Sequence, residues 1–314
     1  MSSPARFDGL ARVSLPPRPL HLAIGMFDGV HLGHRAVVEA AVQSARLGSG
    51  VGAVLTFDPH PSVLFRPGDP TRMISDLPSK IAMLGGLGVE AVIVQPFTPE
   101  FSAVRAGDFV AYLKALLPML SGIYVGENFR FGKDREGDIA MLVTEGRRHG
   151  IAVFSAPRVN LDGEPISSTR IRACIAAGDM RAAAALLGYA YAARGTVVHG
   201  KHLGRKLGFP TLNLGWSPDL RPRYGVYAVR VKGDKSYGWL PAVANYGLRP
   251  TVEDSIEPRL EIHVLVPCPY SAGDPVAVEW VRFIRPEKKF AGIDELTAQI
   301  SRDVADARAE FSLP

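Results

Sequence analysis

The chain has 314 residues, of which 47% are hydrophobic. At about 150 residues per domain this length predicts two domains, each able to bury its own apolar core, which excludes an intrinsically disordered chain. The 36 Lys and Arg residues and 31 Asp and Glu residues give a net charge of only +5, which excludes a polybasic protein dedicated to nucleic acid.

Short apolar runs alternate with helical stretches in the first part of the chain. Helical spacing of apolar residues predicts helices at 35–47 and 109–116. The apolar runs predict β-strands at residues 20–24, 51–57, 91–94, 123–125 and 151–154. Because strands that alternate with helices form parallel sheets, we predict a Rossmann-like α/β domain over residues 1–187.

The apolar runs become shorter after residue 188, and turn residues separate them. They predict strands at residues 195–198, 224–231, 237–244, 260–266 and 275–284. Closely spaced strands of this kind favour an antiparallel β-barrel of the six-stranded type over residues 188–314. A terminal helix is predicted at 296–309, where apolar residues follow helical spacing without Pro or Gly.

Two further features predict the compartment. Cys174 and Cys268 are the two cysteines of the chain, too few for a disulfide framework, so we expect reducing surroundings. The N-terminal residues lack the apolar core of a signal peptide, and uncharged stretches such as 182–193 are too short to span a bilayer. We therefore expect a cytoplasmic protein without a membrane partner.

The segment AIGMFDGVHLGH, residues 23–34, joins a predicted strand, a glycine turn and a helix start. Free backbone N–H groups and the helix dipole favour a phosphate there, and Gly25 and Gly29 allow close approach. His31 and His34, three residues apart, are expected to point the same way and to donate hydrogen bonds to a phosphoryl group. A metal site and a plain turn with two surface histidines remain alternatives.

Two later segments favour the same chemistry. In SSTRIR, residues 167–172, serine hydroxyls such as that of Ser168 can bind phosphate oxygens, and Arg170 can clamp them with two hydrogen bonds. The serines would also serve as ordinary helix caps. In GENFRFG, residues 126–132, Asn128 follows a predicted strand and so lies where ligands of open α/β sheets bind.

In this order, GMFDGVHLGH, TFDPHP, GENFRFG and ISSTRIR resemble the adenylyltransferase module of the bacterial bifunctional riboflavin kinase/FAD synthetase family. The resemblance implies that the phosphate of FMN attacks the α-phosphorus of ATP, which releases pyrophosphate and gives FAD. It implies that His31 and His34 stabilise the α-phosphate and that Arg170 holds the departing phosphates. It also implies nucleotide contacts or turn-shaping roles for Gly25, Phe27, Asp28, Asn128 and Ser168.

The second half contains GKHLGRKLGFPTLNL, residues 200–214. Gly200 and Gly208 permit unusual backbone angles, and Lys201 adds charge, as a phosphate-binding loop requires. The segment is not a Walker A motif, because GKS or GKT before a helix is missing. Thr211 and Asn213 alternate, so on a strand they share a face suited to Mg²⁺. A glycine-rich hairpin without a ligand is the alternative.

In LEIHVL, residues 260–265, Glu261 alternates with apolar neighbours, as on a strand with one solvated face. GRKLGFPTLN, NYGLRPTVE, LEIHVL and RPEKKF together resemble the riboflavin kinase module of the same family. The resemblance implies that Thr211 and Asn213 bind Mg²⁺-ATP and that Glu261 takes the proton of the ribityl 5′-hydroxyl. The implied nucleotide loop adds Gly200, Lys201, Gly208 and Pro210.

Two segments depart from the family pattern. Thr211-Leu212-Asn213 keeps both polar residues but has Leu where the family usually has Ala. Residues 266–276 replace the usual acidic stretch, so no kinase residue is assigned there.

We predict a bifunctional enzyme that makes FMN and then FAD from riboflavin and ATP. The alternative is an FMN adenylyltransferase with a kinase-inactive barrel, which loss of Glu261, Thr211 or Asn213 would have favoured. An aminoacyl-tRNA synthetase is excluded because a KMSKS-like loop is missing. An RNA-binding barrel is disfavoured because residues 194–206 lack aromatic side chains beside the cations.

Overall fold

The computed structural model describes residues 3–200, 204, 207–248 and 258–313. Contacts between Cα atoms divide it into two units, the first ending at Ser168 and the second beginning at Thr169. Both predicted classes are confirmed: a parallel sheet with helices comes first, and a closed antiparallel barrel with a terminal helix follows. The predicted domain boundary at 187/188 stays a prediction. No helix in the described part of the chain is long and apolar enough to cross a membrane.

The first unit is built on a parallel sheet that has six strands in the described residues. These strands are β1 (Ala5–Asp8), β2 (Leu20–Ile24), β3 (Val51–Phe57), β4 (Ala91–Gln95), β5 (Leu120–Gly126) and β6 (Ala152–Ala156). They lie in the order β1-β4-β3-β2-β5-β6, so Ala23 of β2 lies between Val54 of β3 and Tyr124 of β5. A small hairpin, β7 (Asn160–Leu161) with β8 (Glu164–Pro165), follows.

Helices cover both faces of this sheet, which is why its central strands β2 and β3 are mostly apolar and almost entirely buried. The helices are α1 (Leu32–Leu47), α2 (Pro61–Phe65), α3 (Leu77–Gly86), α4 (Pro99–Ser102), α5 (Ala106–Leu116) and α6 (Ile139–Arg148). On one face, strand residues pack with α5 and α6. On the other face, they pack with α1 and α3, whose buried residues include Val38 and Leu84. Burial at spacings of three and four residues fixes the inner side of α1.

The order of the strands locates the ligand-binding edge. From β2 the chain proceeds to β3 on one side, and β5 later joins β2 on the other side. Ligands of open α/β sheets bind at the carboxyl ends of the strands where the strand order reverses in this way. The turn after β2 and the loop after β5 both lie at that edge, and they carry the motifs at 23–34 and 126–132.

The second unit is a closed barrel in the described residues. Its strands are β9 (Ala192–Val198), β10 (Leu212–Gly215), β11 (Gly225–Gly233), β12 (Leu240–Leu248), β13 (Pro258–Val264) and β14 (Pro275–Pro286). They follow the order β10-β13-β12-β11-β14-β9, and β9 also pairs with β10. The interior is filled by aromatic rings, and the Tyr227 and Trp280 centroids lie 4.6 Å apart.

Helices α7 (Ser168–Ala177), α8 (Met180–Leu187) and α9 (Ile293–Glu310) accompany the barrel in the described part of the chain. Helix α8 packs on β14, and α9 packs across β11, β12 and β14. Arg285 of β14 binds Asp303 of α9 through two hydrogen bonds of 2.8 and 2.7 Å. Because Asp303 is only 4% exposed, this pair fixes α9 against the barrel wall.

Candidate active sites

The turn after β2 has a conformation that only a few residue types accept. Phe27 lies in the left-handed region with φ 48°, and its ring is 2% exposed. A Cβ atom at Gly25 would lie 3.1 Å from the Phe27 ring, so glycine lets that ring fold back over the end of the strand. Gly25 N–H donates to the Leu55 carbonyl of β3 at 3.1 Å, which ties the turn to the sheet.

Asp28 holds the turn from inside the protein. Its carboxylate accepts the backbone N–H groups of Ile74 at 3.0 Å and Ser75 at 3.3 Å, and the residue is 2% exposed. Gly29 N–H donates in turn to the Ser75 hydroxyl at 3.3 Å. The segment that precedes α3 therefore fixes the shape of the turn, which accords with the turn-shaping role predicted for Asp28.

The two histidines lie together at the start of α1. His31 is the N-cap of α1, and its Nδ1 accepts the His34 N–H at 3.3 Å. It therefore lies just before the helix, whereas the sequence pattern predicted it in the first helical turn. The two rings stack with centroids 3.5 Å apart and an angle of 17° between their planes. Such parallel rings do not converge on one point as metal ligands do, but they can both donate to oxygens of one phosphate.

The other predicted residues of this site lie in three places. The Ser168 hydroxyl donates to the Asp28 carbonyl at 3.2 Å, so the SSTRIR segment contacts the turn. Arg170 lies two residues later, in the first turn of α7. Asn128 is exposed after β5, and its Oδ1 accepts a hydrogen bond from Arg158, which also pairs with Glu127 at 2.7 Å. This contact turns the amide NH₂ of Asn128 away from Arg158.

An aromatic cluster at the same sheet edge was not predicted. Phe57 ends β3, and its ring lies 5.7 Å from Phe97, which follows β4, and 5.6 Å from Phe101 of α4. The Phe65 ring of α2 lies 5.9 Å from Phe97 and is 64% exposed. A sequence signal for this cluster was present: Phe57 is the last residue of one predicted strand, and Phe97 follows the neighbouring strand closely. The cluster offers an apolar surface at the same sheet edge as the β2 turn, and its rings stand at steep angles to one another, so an aromatic ligand can pack against their edges and faces.

The barrel brings three polar residues into one row. Asn213 of β10 lies opposite Glu261 of β13, and Asn245 of β12 lies opposite Glu261 on its other side. Residues directly opposite in a sheet share a face, so the three side chains are neighbours. The predicted alternation in LEIHVL is also present, since Leu260 and Ile262 are buried and Glu261 is half-buried.

A cavity of about 250 Å³ lies between the barrel wall and α9, over Glu261 and Asn245 of this row, whereas Asn213 is not among its lining residues. Its walls include the predicted Thr211 and Glu261. The polar side chains that the sequence did not predict there are Asn245, His263, Arg285, Glu287, Lys288 and Asp303. Burial raises the pKa of the Glu287 carboxyl, while the Leu248 N–H and Arg285 act in the opposite direction. The cavity therefore combines apolar walls with a few charged groups, as small-molecule sites do.

The glycine-rich loop is partly described. Gly208 has φ +85°, a conformation that favours glycine, and a Cβ at Gly200 would displace the Asn213 amide. The Pro210 carbonyl accepts a hydrogen bond from His263 Nδ1 at 2.8 Å, which anchors the start of β10 to β13. Lys201 lies outside the described residues, as do the loop's other two cations, at positions 205 and 206.

Mg²⁺ prefers oxygen ligands, and the residues present fit that preference. The Thr211 hydroxyl and the Asn213 amide oxygen are neutral oxygen donors, and the Glu261 carboxylate lies beside Asn213. Neutral donors leave most of the coordination shell to water and phosphate oxygens, as is usual for Mg²⁺ that enters with a nucleotide.

Two family models match the chain. The FAD synthetase model matches residues 15–170, and the riboflavin kinase model matches residues 187–311. The first match contains the turn after β2 and the aromatic cluster, and the second contains the barrel cavity.

Similar proteins match over nearly the full length. The bifunctional riboflavin kinase/FMN adenylyltransferase of Escherichia coli K12 is 38% identical over 93% of this chain and 93% of its own. The protein of the same name from Listeria monocytogenes is 38% identical over 93% and 92%. A crystal structure described as a macrolide-efflux protein from Streptococcus pneumoniae is 29% identical, with a TM-score of 0.85 over 98% and 99% of the two chains.

Proposed function

Because the chain belongs to the family of bifunctional riboflavin kinases/FMN adenylyltransferases, we propose that its two reactions take place at the two sites described above. The chain is an enzyme that phosphorylates riboflavin with ATP to give FMN and adenylylates FMN with ATP to give FAD. Adenylyl transfer is assigned to the turn after β2, and phosphorylation is assigned to the barrel cavity. The observation that carries this division is that Glu261 and Asn245 line that cavity, with Asn213 opposite Glu261 on the neighbouring strand.

In adenylyl transfer, a phosphate oxygen of FMN attacks the α-phosphorus of ATP, and pyrophosphate leaves with the electrons of the broken P–O bond. The stacked His31 and His34 rings donate hydrogen bonds to the α-phosphate oxygens as negative charge builds on them. Ser168 and Arg170 hold the departing phosphates. The substrate supplies its own nucleophile, so the protein acts by positioning and by stabilising charge.

The flavin ring of FMN is assigned to the aromatic cluster of Phe57, Phe65, Phe97 and Phe101. These rings follow β3 and β4, whereas the histidines follow β2, the next strand in the sheet. Strands in a sheet are spaced by about 4.8 Å, so a ligand with a planar ring and a phosphate can reach both places. Asn128, oriented by Arg158, supplies N–H donors at the same edge.

In phosphorylation, the ribityl 5′-hydroxyl oxygen attacks the γ-phosphorus of ATP and ADP leaves. Glu261 accepts the hydroxyl proton, because it is the carboxylate of the polar row that lines the cavity. Thr211 and Asn213 would hold Mg²⁺ that enters with ATP, and the ion, when bound, neutralises phosphate charge. Gly200, Gly208 and Pro210 shape the loop that receives the nucleotide.

The test is direct. Purified protein is incubated with riboflavin, ATP and Mg²⁺, and the flavins are separated by chromatography, with EDTA in a parallel sample. We expect FMN to form first and FAD to follow, and both to fail with EDTA. If riboflavin remained unchanged while supplied FMN became FAD, the kinase-inactive alternative would hold; the presence of Thr211, Asn213 and Glu261 argues against that outcome.

We also keep two predictions as proposals. The cytoplasm is the proposed compartment, since Cys174 and Cys268 are both free thiols. The boundary at 187/188 is supported by the start of the riboflavin kinase match at residue 187. Contacts between Cα atoms, however, group residues from Thr169 onward with the barrel, so α8 accompanies the kinase unit structurally.

A further inference from the structure

Lys80 is a buried lysine that the proposed reaction does not use. It lies in α3, and only 2% of its surface is exposed. Lysines are almost never buried so completely unless a partner holds the ammonium group, because removing the charge from water is costly. Burial accordingly lowers the pKa of Lys80, although the charges of Asp28 and Asp58 act in the opposite direction.

The partners of Lys80 belong to the nucleotide-binding turn and to its neighbour. The ammonium Nζ donates to the Met26 carbonyl at 3.1 Å and lies 3.4 Å from the Thr56 hydroxyl. That hydroxyl donates to the same Met26 carbonyl at 3.0 Å. Two donors therefore converge on the carbonyl that directly precedes Phe27, the residue with φ 48°.

These contacts connect the first two motifs of the adenylyltransferase half. Met26 and Asp28 belong to the segment at 23–34, whereas Thr56 and Asp58 belong to TFDPHP, residues 56–61. The turn is held on one side by Lys80 at Met26, and on the other side by the Ile74 and Ser75 N–H groups at Asp28. One segment, residues 74–80, therefore holds the backbone carbonyl that precedes Phe27 and the side chain of the residue that follows it.

We propose that Lys80 is a positioning residue for adenylyl transfer, which holds the Met26 carbonyl so that the turn presents the stacked His31 and His34 rings to the α-phosphate. This inference rests on the proposed function of the turn. A displacement of about 1 Å in a catalytic group can lower a rate about a hundredfold. The role therefore predicts a loss in kcat rather than a loss in folding.

The test uses the full-length protein with Lys80→Met, which keeps most of the side-chain length and removes the donor and the charge. We expect the kcat of adenylyl transfer to fall about 10- to 100-fold. KM for ATP and KM for FMN should rise by smaller factors. Riboflavin phosphorylation, which serves as the internal control, should stay within twofold. The Tm should stay within a few degrees, because the Thr56 hydroxyl still donates to the Met26 carbonyl and the Ile74 and Ser75 N–H groups still hold the Asp28 carboxylate.

Lys114→Met is the matched control. Lys114 also donates to a backbone carbonyl, that of Leu120 at 2.8 Å, and it lies in the same unit but in α5. This variant should keep adenylyl transfer within twofold. Lys80→Arg, which retains a buried cation, should recover part of the activity lost in Lys80→Met.

Several results would overturn the inference. Adenylyl transfer by Lys80→Met within twofold of the original chain would do so, and so would an equal loss in Lys114→Met. A loss that follows a lowered Tm and affects both activities would show a purely structural lysine. If Lys80→Met does not fold, Thr56→Val removes the second donor to Met26, and an unchanged kcat there would also overturn it. If the unaltered chain makes no FAD, the proposed function fails and not this inference.

Discussion

The two sites of this enzyme are built in different ways. The proposed adenylyl-transfer site centres on ten consecutive residues, 25–34, whose conformation depends on the contacts of Asp28 and Lys80. Later segments add Asn128, Ser168 and Arg170 to it. The proposed kinase site takes residues from β12, β13, β14 and α9 and from the segment that leads into β10. A local turn can be displaced by one lost contact, whereas a closed hydrogen-bonded barrel keeps its strands in register.

This difference predicts how the two sites respond to substitution. In the turn, replacing a residue is expected to move its neighbours, so chemical and positional effects will be mixed. In the barrel, the ladder fixes Glu261 between Asn213 and Asn245, so a substitution there can remove one chemical function alone. Substitutions in the turn and in the barrel therefore test this contrast.

Replacing His31 and His34 together with Ala should remove FAD formation while FMN still accumulates. One hydrogen-bond donor to a developing anion is worth about a hundred- to a thousandfold in rate, so we expect a loss of at least a thousandfold in kcat. A discontinuous assay with FMN and ATP as substrates measures this kcat. FAD synthesis within tenfold of the original rate would mean that the site lies elsewhere.

The single variants sharpen this test. His31 also caps α1 through the His34 N–H, so His31→Ala loses a helix cap worth about 1 kcal/mol in addition to its donor. His34→Ala loses its donor and its ring contacts with His31 and Phe27, but it keeps the helix cap. Because the rings stack on each other, the two losses should not add. Additive effects would contradict a shared site.

Glu261→Gln should abolish riboflavin phosphorylation and leave the conversion of supplied FMN to FAD intact. Gln keeps the shape but cannot accept the hydroxyl proton, so we expect a loss of about a hundred- to ten-thousandfold in kcat. Glu279→Gln is the control, because Glu279 lies on β14 in an ion pair with Arg230 at 2.8 Å and does not line the cavity. Normal kinase activity in folded Glu261→Gln protein would reject the assignment.

The sheet site was largely predictable because its residues are close together in the sequence. The apolar runs located β2, β3 and β5, and the glycine turn located His31 and His34. Helix α3 was missed, since Pro78 near its start and Gly85 and Gly86 at its end obscure its pattern. Because helix α3 was missed, Lys80 was missed as well, and no local sequence pattern indicates its burial.

The barrel site was less predictable because it depends on pairing between distant strands. The predicted strand 237–244 ended one residue before Asn245, whereas β12 spans Leu240–Leu248, since residues 237–239 belong to the β11–β12 turn. Arg285 and Asp303 meet only when α9 folds back on β14. Spacing along one strand predicts which residues share a face, but not which strand lies opposite.

Fragments of the kinase unit test where the second domain begins. A fragment from Gly188 should phosphorylate riboflavin, since the cavity residues all follow that position. A fragment from Thr169 should do so as well, with a higher Tm, because Met180, Leu186 and Leu187 of α8 are buried. At about 25 cal/mol per Å², exposing a few hundred Å² of apolar surface costs several kcal/mol. A folded but inactive longer fragment would show that the kinase needs the first unit.

Phe65→Ala should have the smallest effect, confined to FMN binding in adenylyl transfer. Stacking on an aromatic side chain is worth about 1–3 kcal/mol per ring, and Phe65 is one member of a cluster, so we expect KM for FMN to rise about five- to tenfold. KM for ATP and riboflavin phosphorylation should not change. Phe154→Ala is the control, since Phe154 is 44% exposed on β6 and lies outside the cluster. If both variants raised KM for FMN equally, the assignment of the flavin ring to the cluster would be wrong, because the loss of any exposed aromatic ring would then raise KM.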